Sequence, residues 1–324
     1  MWILVWKQYI IHLITMANKE LDNSRISKHL GQTSQYKSAY DSELLVREPR
    51  SNNRVYLNIF DDDLPFVGSD TWNAYECSFL LDNGRPVTGV VKCVYSCSSK
   101  YIVESKSIKL YFNSFNMTKM AGDKDKAINA FENTASKDLS RILQTDVQVK
   151  FQDGHRVNEK VDSPNREWDI DDYDNVDLLE DHKDFIYTQY TEDPGLLEGI
   201  SRERDFEQKF YSGLLKSNCR VTSQPDWGDV FIHIKSKHVI DAHSIKNYVV
   251  SYRDECHFHE EICECFYKRL KDAFDPSELL VMCLYARRGG IDINPVRASN
   301  QDLIDKYAAN LIDVNAVHIK TSKQ

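Results

Sequence analysis

The sequence predicts an α+β fold made of two successive units, and three observations carry that reading. A β-hairpin signal, Asp82-Asn-Gly-Arg85, joins two apolar runs, Trp72–Leu81 and Pro86–Tyr95. A helical stretch from about Lys124 to Leu143, with Ala127, Phe131, Ala135 and Leu139 at four-residue intervals, leads into the alternating segment Thr145–Phe151. The second half then gives the same order of elements in looser form. Antiparallel sheets with helices packed on one face follow from this order.

The 324-residue chain has room for two domains of ordinary size, each able to bury its own core. Residues 1–53 read as an amino-terminal extension and arm, 54–160 as a first module, 161–198 as an acidic connector and 199–324 as a second module. The start, Met1–Thr15, is apolar but interrupted by Lys7, Gln8 and His12, and is shorter than the ~20 residues that span a bilayer. With no small-residue cleavage site after it, it reads as an upstream extension without function; an interfacial anchor is the alternative. Residues 17–53, rich in Ser, Asn, Gln and Lys, read as a loosely attached lead-in.

Beyond the first module, residues 167–184 hold nine acids against one Lys. The register Asp169, Asp171, Asn175, Asp177, Glu180 approaches a calcium loop, but Tyr173 stands at a ligand position and Asp174 where the sharp turn needs Gly. A solvated connector is the better reading. In the second module Asp229–Lys235 alternates like a strand, Ala242–Tyr252 and Glu260–Phe274 read as helices, and Leu279–Tyr285 as a buried strand ending at Arg287-Arg-Gly-Gly290.

Composition narrows the function classes. The chain is 41% apolar and 28% charged, as in a soluble globular protein, and its formal charge of -9 argues against a primary nucleic-acid binder, whose affinity comes mainly from Lys and Arg. Eight cysteines at irregular spacings, Cys93-x3-Cys97 and Cys263-x-Cys265 among them, read as free thiols of a reducing cytoplasm.

Four polar stretches carry the chemistry. Ser217–Gly228 packs a thiol, amides, hydroxyls and a carboxylate into a segment too polar for a buried strand. Pro225 disfavours helix at Gln224, so a rigid loop carrying Cys219 and Asp226 is expected. Thiol and acid in that arrangement suggest a nucleophile with a proton donor; a packed cysteine and a turn-starting Asp are the plain alternative. Glu104–Tyr111 could hold a ligand bearing guanidine-like donors and phosphate, or could simply be a helix start capped by Ser105 or Ser107. In Cys256–Cys263 the zincin pattern fails, and a zinc set of Cys256, His257, Cys263 and Cys265 is hindered because i, i+2 pairs diverge on a helix. A better use is proton traffic at His259 and recognition of a nitrogen-rich heterocycle by Glu260. Arg287-Arg-Gly-Gly290 offers paired cations on flexible backbone to a phosphate, although no Gly-x-Gly-x-x-Gly or P-loop occurs.

Taken together, Glu104-Ser-Lys-Ser-Ile-Lys-Leu-Tyr111, Ser217-Asn-Cys-Arg-Val-Thr-Ser-Gln-Pro-Asp-Trp-Gly228, Phe258-His-Glu260 and Arg287-Arg-Gly-Gly-Ile-Asp-Ile-Asn-Pro295 resemble the NADPH-dependent 7-cyano-7-deazaguanine reductases of the queuosine pathway, in their long two-module form. The resemblance covers roughly residue 40 to the end. It implies tandem tunnelling-fold modules with sites at module interfaces, and reduction of a nitrile to an aminomethyl group by two NADPH without a metal. Cys219 would add to the nitrile as a thioimide-forming nucleophile and Asp226 would protonate its nitrogen. Val103, Glu104, Ser105, His259 and Glu260 would bind the deazapurine, and Ser105, Lys106, Arg288 and Gly289 the cofactor. The same resemblance implies a cytoplasmic homodimer with no nucleic-acid or membrane partner. Arg220 departs from the expected pattern and is taken to help ionise Cys219. Rival readings are an amidino-transferring relative, a zinc-dependent cyclohydrolase of the same fold, and a silent binding protein.

Overall fold

The computed structural model describes residues 39–153, 172–181, 183, 185–316 and 320–324. Met1–Thr15 and the acids Glu167, Asp169, Asp171 and Asp184 lie outside the described residues.

Thirteen strands are described: β1 Arg47–Pro49, β2 Val67–Leu81, β3 Pro86–Ser96, β4 Tyr101–Val103, β5 Lys119–Met120, β6 Val147–Asp153, β7 Asp174–Asn175, β8 Gly199–Ser212, β9 Lys216–Cys219, β10 Pro225–Ile240, β11 Cys256–His257, β12 Glu278–Tyr285 and β13 Ile291–Ala298. The helices that matter here are α1 Ser51–Arg54, α2 Ser105–Ser114, α3 Lys124–Leu143, α4 Ala242–Val250, α5 His259–Phe274, α6 Gln301–Tyr307 and α7 Ala309–Ile312. One eleven-stranded sheet runs β11-β9-β10-β12-β13-β2-β3-β6, with β8 also on β10. All pairs along its length from β9 to β6 are antiparallel, and β13 joins β2 in the register Ile291↔Ala74 to Ala298↔Val67. That pairing fuses the two modules into one sheet.

Each module repeats a long hairpin followed by two helices and a returning strand: β2–β3, α2, α3, β6, then β8–β10, α4, α5, β12. Three helices, α3, α4 and α5, form where the sequence expects them. Asp123 caps α3 by accepting from the Lys126 N–H at 2.9 Å, and its apolar stripe Ala127, Phe131, Ala135, Leu139 is buried against Phe79 and Phe151. In the second module, alternate residues of β10 and β12 face opposite ways. Val230, Ile232 and Val281 pack under α4 and α5, while Phe231, Leu280 and Met282 pack under α6 and α7. The carboxy-terminal helices therefore cover the sheet face that α5 leaves open.

Two expectations need correction. Residues 41–53 are no loose lead-in: β1 pairs with β4, Leu45 is buried, and Arg50 reaches into the core beside Arg54 of the first module. The pull is electrostatic, since both guanidiniums meet buried carboxylates there. Nor are residues 172–181 a purely solvated connector. Tyr173 and Val176 are buried, and Asp177 accepts from Ser212 Oγ at 2.6 Å and the Gly213 N–H at 2.7 Å.

Candidate active site

A cavity of about 240 Å³ opens where the two modules meet. All ten residues singled out in the sequence line it: Val103, Glu104, Ser105 and Lys106 from the first module, and Cys219, Asp226, His259, Glu260, Arg288 and Gly289 from the second.

Cys219 ends β9, and the segment is a tight hairpin between strands where the sequence suggested a loop. Asn218 pairs with Pro225, the Cys219 N–H donates to Gln224 O at 2.8 Å, and the Ser223 N–H donates to Cys219 O at 2.9 Å. Its polar side chains are tolerated because β9 is only four residues long and the turn from Thr222 to Pro225 is exposed. Pro225 takes the first position of β10, a strand site it can occupy. Ser223 has φ +53°, a left-handed value that a non-glycine residue holds at some cost and that clusters at functional sites. On the other edge of β9, His257 is the parallel partner of Cys219, so the Cys219 backbone is held from both sides.

Asp226 is 3% exposed and held from two directions. Arg288 pairs with Oδ1, and His259 Nε2 lies 3.4 Å from Oδ2. Burial alone would push this carboxyl up, but His259 and Arg288 outweigh it and hold it below the usual range. The His259 ring stacks on Tyr285 at 3.7 Å between centroids, which fixes its plane.

Glu260 follows on α5. Burial pushes its carboxyl up to about 8, with Asp70 adding to the shift, and its Oε1 is buried without a partner. Buried orphan acceptors are rare, and this one lies in the cavity lining, where a ligand N–H would satisfy it. Glu104 differs. It is the N-cap of α2, in place of Ser105 or Ser107, with the Lys106 N–H on Oε1 at 2.9 Å and the Ser107 N–H on Oε2 at 2.7 Å. Burial raises its pKa against those two bonds. Each carboxylate oxygen keeps a free lone pair for a ligand donor.

The mouth is cationic. Lys106, Lys109 and Arg288 line it together with Gly289. Gly289 and Gly290 have φ +56° and +81°, and a Cβ at Gly290 would lie 2.6 Å from Glu76 Cδ, so the corner tolerates little but glycine. Three cations beside exposed glycine backbone suit a phosphate-bearing cofactor.

Sequence reading missed Trp72, Thr222 and His257 as lining residues. Trp72 belongs to an apolar strand run and carried no signal of its own. His257 is pushed up to about 9 by Glu255 and Glu261 despite its burial. Arg220 is paired with a carboxylate. Its Nη1 donates to Glu261 Oε1 at 2.8 Å, and the same carboxylate accepts the Phe258 N–H at 3.0 Å, so Arg220 ties the nucleophile hairpin to the start of α5. Cys263, from the rejected zinc set, is buried against the Val281 and Pro295 carbonyls.

Known proteins share this arrangement of sequence. The family described as nitrile reductase, 7-cyano-7-deazaguanine-reductase N-term matches residues 36–151, and that described as QueF-like protein matches residues 225–303. A protein of Colwellia psychrerythraea named NADPH-dependent 7-cyano-7-deazaguanine reductase is 39% identical over 296 residues, 88% of this chain and 96% of that one. The chain belongs to this reductase family. A Coxiella burnetii protein of the same name is 38% identical over 84% of this chain and 91% of its own length. The apo crystal structure of the archaeosine synthase QueF-Like covers 29% of this chain and 91% of its own at 21% identity and a TM-score of 0.26, too slight a likeness to bear on function. Among the reductase motifs, Cys219 precedes the second matched segment, so its placement rests on the hairpin geometry. Among the described residues, no helix is long and apolar enough to cross a membrane.

Proposed function

We infer that this chain reduces the nitrile of 7-cyano-7-deazaguanine to an aminomethyl group at the expense of NADPH, a step of queuosine biosynthesis, with Cys219 as covalent nucleophile. The observation that carries the reading is the convergence of a thiol, a paired acid, an orphan carboxylate and a cationic mouth on one cavity between the modules.

The nitrile carbon is a weak electrophile, and sulfur addition converts it to a C=N that accepts hydride. His259 and Arg288 hold the Asp226 carboxyl below its ordinary range against burial, which favours its entry as proton acceptor. The Sγ–H proton passes to Asp226, the S–C bond forms as one C–N π bond breaks, and Asp226 returns the proton to the nitrile nitrogen. The addition therefore needs no outside proton. Such positioned proton transfer typically contributes ~100 to 10,000-fold. Glu260 and Glu104 accept ring N–H groups, and bonds to the charged form of Glu260 pull its raised pKa back down as substrate binds. NADPH, held by Ser105, Lys106, Arg288 and Gly289, supplies the hydrides.

The reading extends to a cytoplasmic homodimer. β6 pairs only with β3 among the described residues, leaving an outer edge open to another strand.

Intact-mass measurement after mixing the protein with 7-cyano-7-deazaguanine tests the chemistry. A covalent increment lost in Cys219→Ser, and loss of the nicotinamide absorbance when NADPH is added, are the expected results. An unchanged mass together with continued NADPH oxidation would remove the covalent step.

A further inference from the structure

Thiol addition to the nitrile is neutral in protons, but each reduction that follows consumes one hydride and one proton. A proton has to reach the site with every hydride, and the residues around Asp226 are placed to govern that supply. Arg288 grips Asp226 Oδ1 while its Nη2 donates to Gln224 Oε1 at 3.0 Å, and His259 holds Oδ2. The Arg288 side chain is 37% exposed where that of Asp226 is 3% exposed, so the guanidinium bridges the buried acid and the open mouth. Its backbone N–H closes a turn onto Ile291 O at 2.8 Å, immediately before two glycines of positive φ. The same side chain lines the cationic mouth with Lys106 and Lys109. Arg288 meets Asp226 through Nη1 alone, with Nη2 on Gln224, so a phosphate that engages the Nη1–Nη2 edge bidentately competes for the donor that Asp226 holds, and the phosphate bears the larger charge.

We propose that Arg288 exchanges Asp226 for a phosphate of the cofactor, so that the Asp226–His259 pair takes up one proton each time the cofactor binds and yields it to the substrate nitrogen. The inference rests on the reading of Arg288 as a cofactor residue. Without Arg288, Asp226 loses one of the two cationic partners that offset its burial, and His259, 3.4 Å from Oδ2, is left to share a proton with it. The other titratable groups lining the cavity are Glu104, Lys106 and Lys109 at α2, Cys219 from β9, His257 from β11 and Glu260 from α5, with Tyr285 of β12 stacked on His259. In each reduction the hydride bonds to carbon, the C–N π pair moves to nitrogen, and nitrogen takes the stored proton. Between the two, the C–S bond breaks as the imine forms, and the thiol recovers its proton from the nitrogen. Arg288 then returns to Asp226, and the next cofactor reloads the pair.

Calorimetric titration with NADP+, in the absence of nitrile and in buffers of different ionisation enthalpy, reads the exchange directly. At about pH 6.5, near the ordinary histidine value, binding to the wild-type protein takes up more protons than binding to Asp226→Asn, the cofactor's own phosphate being common to both. Wild-type affinity for NADP+ strengthens as pH falls, by up to about tenfold per pH unit, and that slope flattens in Asp226→Asn. NADP+ binding by the Asn variant also reports that it is folded. Equal proton uptake in the two proteins, with NADP+ weakened by Arg288→Met, would overturn the exchange while sparing Arg288 as a cofactor residue. Undiminished NADP+ binding by Arg288→Met would overturn both.

Discussion

Glu260 and Glu264 stand one turn apart on the same helix, both almost wholly buried, and have opposite surroundings. Glu264 receives Arg54 Nε at 2.8 Å and Nη2 at 2.7 Å, and Arg297 Nη2 at 2.9 Å, with Arg50 at 3.6 Å. Asp70 joins the same cluster through Arg50 and Arg297. Burial pushes the Glu264 carboxyl up, but the arginines, Arg297 foremost, hold it low. Glu260 keeps an oxygen without a partner, and its carboxyl is raised. A buried acid whose lone pairs are filled from within the chain holds the fold together. One whose lone pairs face a cavity is reserved for something that arrives later.

The chemistry is the sharpest place to separate the two roles. Cys219→Ala is expected to abolish the covalent increment in intact-mass measurements while leaving the melting temperature within a few degrees of the parent. A retained adduct, located by peptide mapping, would move the nucleophile elsewhere.

The same Glu→Gln change at each position then tests the comparison itself. In Glu264→Gln, three arginines lose a shared counter-charge, and breaking a buried pair of this kind costs about 3–5 kcal/mol, read from denaturant unfolding. In Glu260→Gln no ion pair is lost, so near pH 4, where the parent's carboxyl is neutral in both states, stability should stay close to that of the parent. Its loss appears in binding. Hydrogen bonds to a charged group contribute about 1.5–3 kcal/mol, so affinity for 7-cyano-7-deazaguanine should weaken roughly 10- to 150-fold in calorimetry. If both variants unfolded alike, Glu260 would be a structural acid and the contrast would be void.

Legibility in the sequence follows the same division. The pocket was readable because its chemistry comes in contiguous stretches: Glu104 to Lys106, Cys219 to Asp226, His259 with Glu260, Arg288 with Gly289. Each carries residue types that a core strand or helix would not choose. The arginine cluster could not be read this way. Arg50, Asp70, Glu264 and Arg297 lie on four distant segments, and only the β13–β2 register, with Arg297 opposite Gly68, brings Arg297 within reach of Asp70. That approach also requires Gly68, whose Cβ would fall 2.0 Å from Val296 O. Residues 41–53 looked like a lead-in for the same reason, since the partners of Arg50 are remote in sequence. Trp72 and His257 were missed because a strand tryptophan and a histidine beside cysteines each have commoner explanations. The αL turn at Ser223, which closes the nucleophile hairpin, has no composition signal at all.

The last test separates the two acids by pH. A carboxyl raised to about 8 in the folded chain, against an ordinary value of ~4.3, makes the folded state hold the extra proton between those limits. There the folded protein binds more protons than the unfolded, so the Glu260 contribution lowers stability as pH rises from about 4.3 towards 8. Glu264, held low, acts in the opposite sense: its contribution is present above the ordinary carboxylate range and is lost only as pH falls below it. Melting temperatures of the parent and Glu260→Gln should therefore coincide near pH 4 and diverge in favour of the variant towards pH 8. Saturating substrate should shrink that divergence, because ring N–H groups stabilise the ionised carboxylate that burial penalises. Parallel melting curves across the interval would mean that Glu260 is already ionised in the free chain, and the distinction between the two glutamates would then rest on geometry alone.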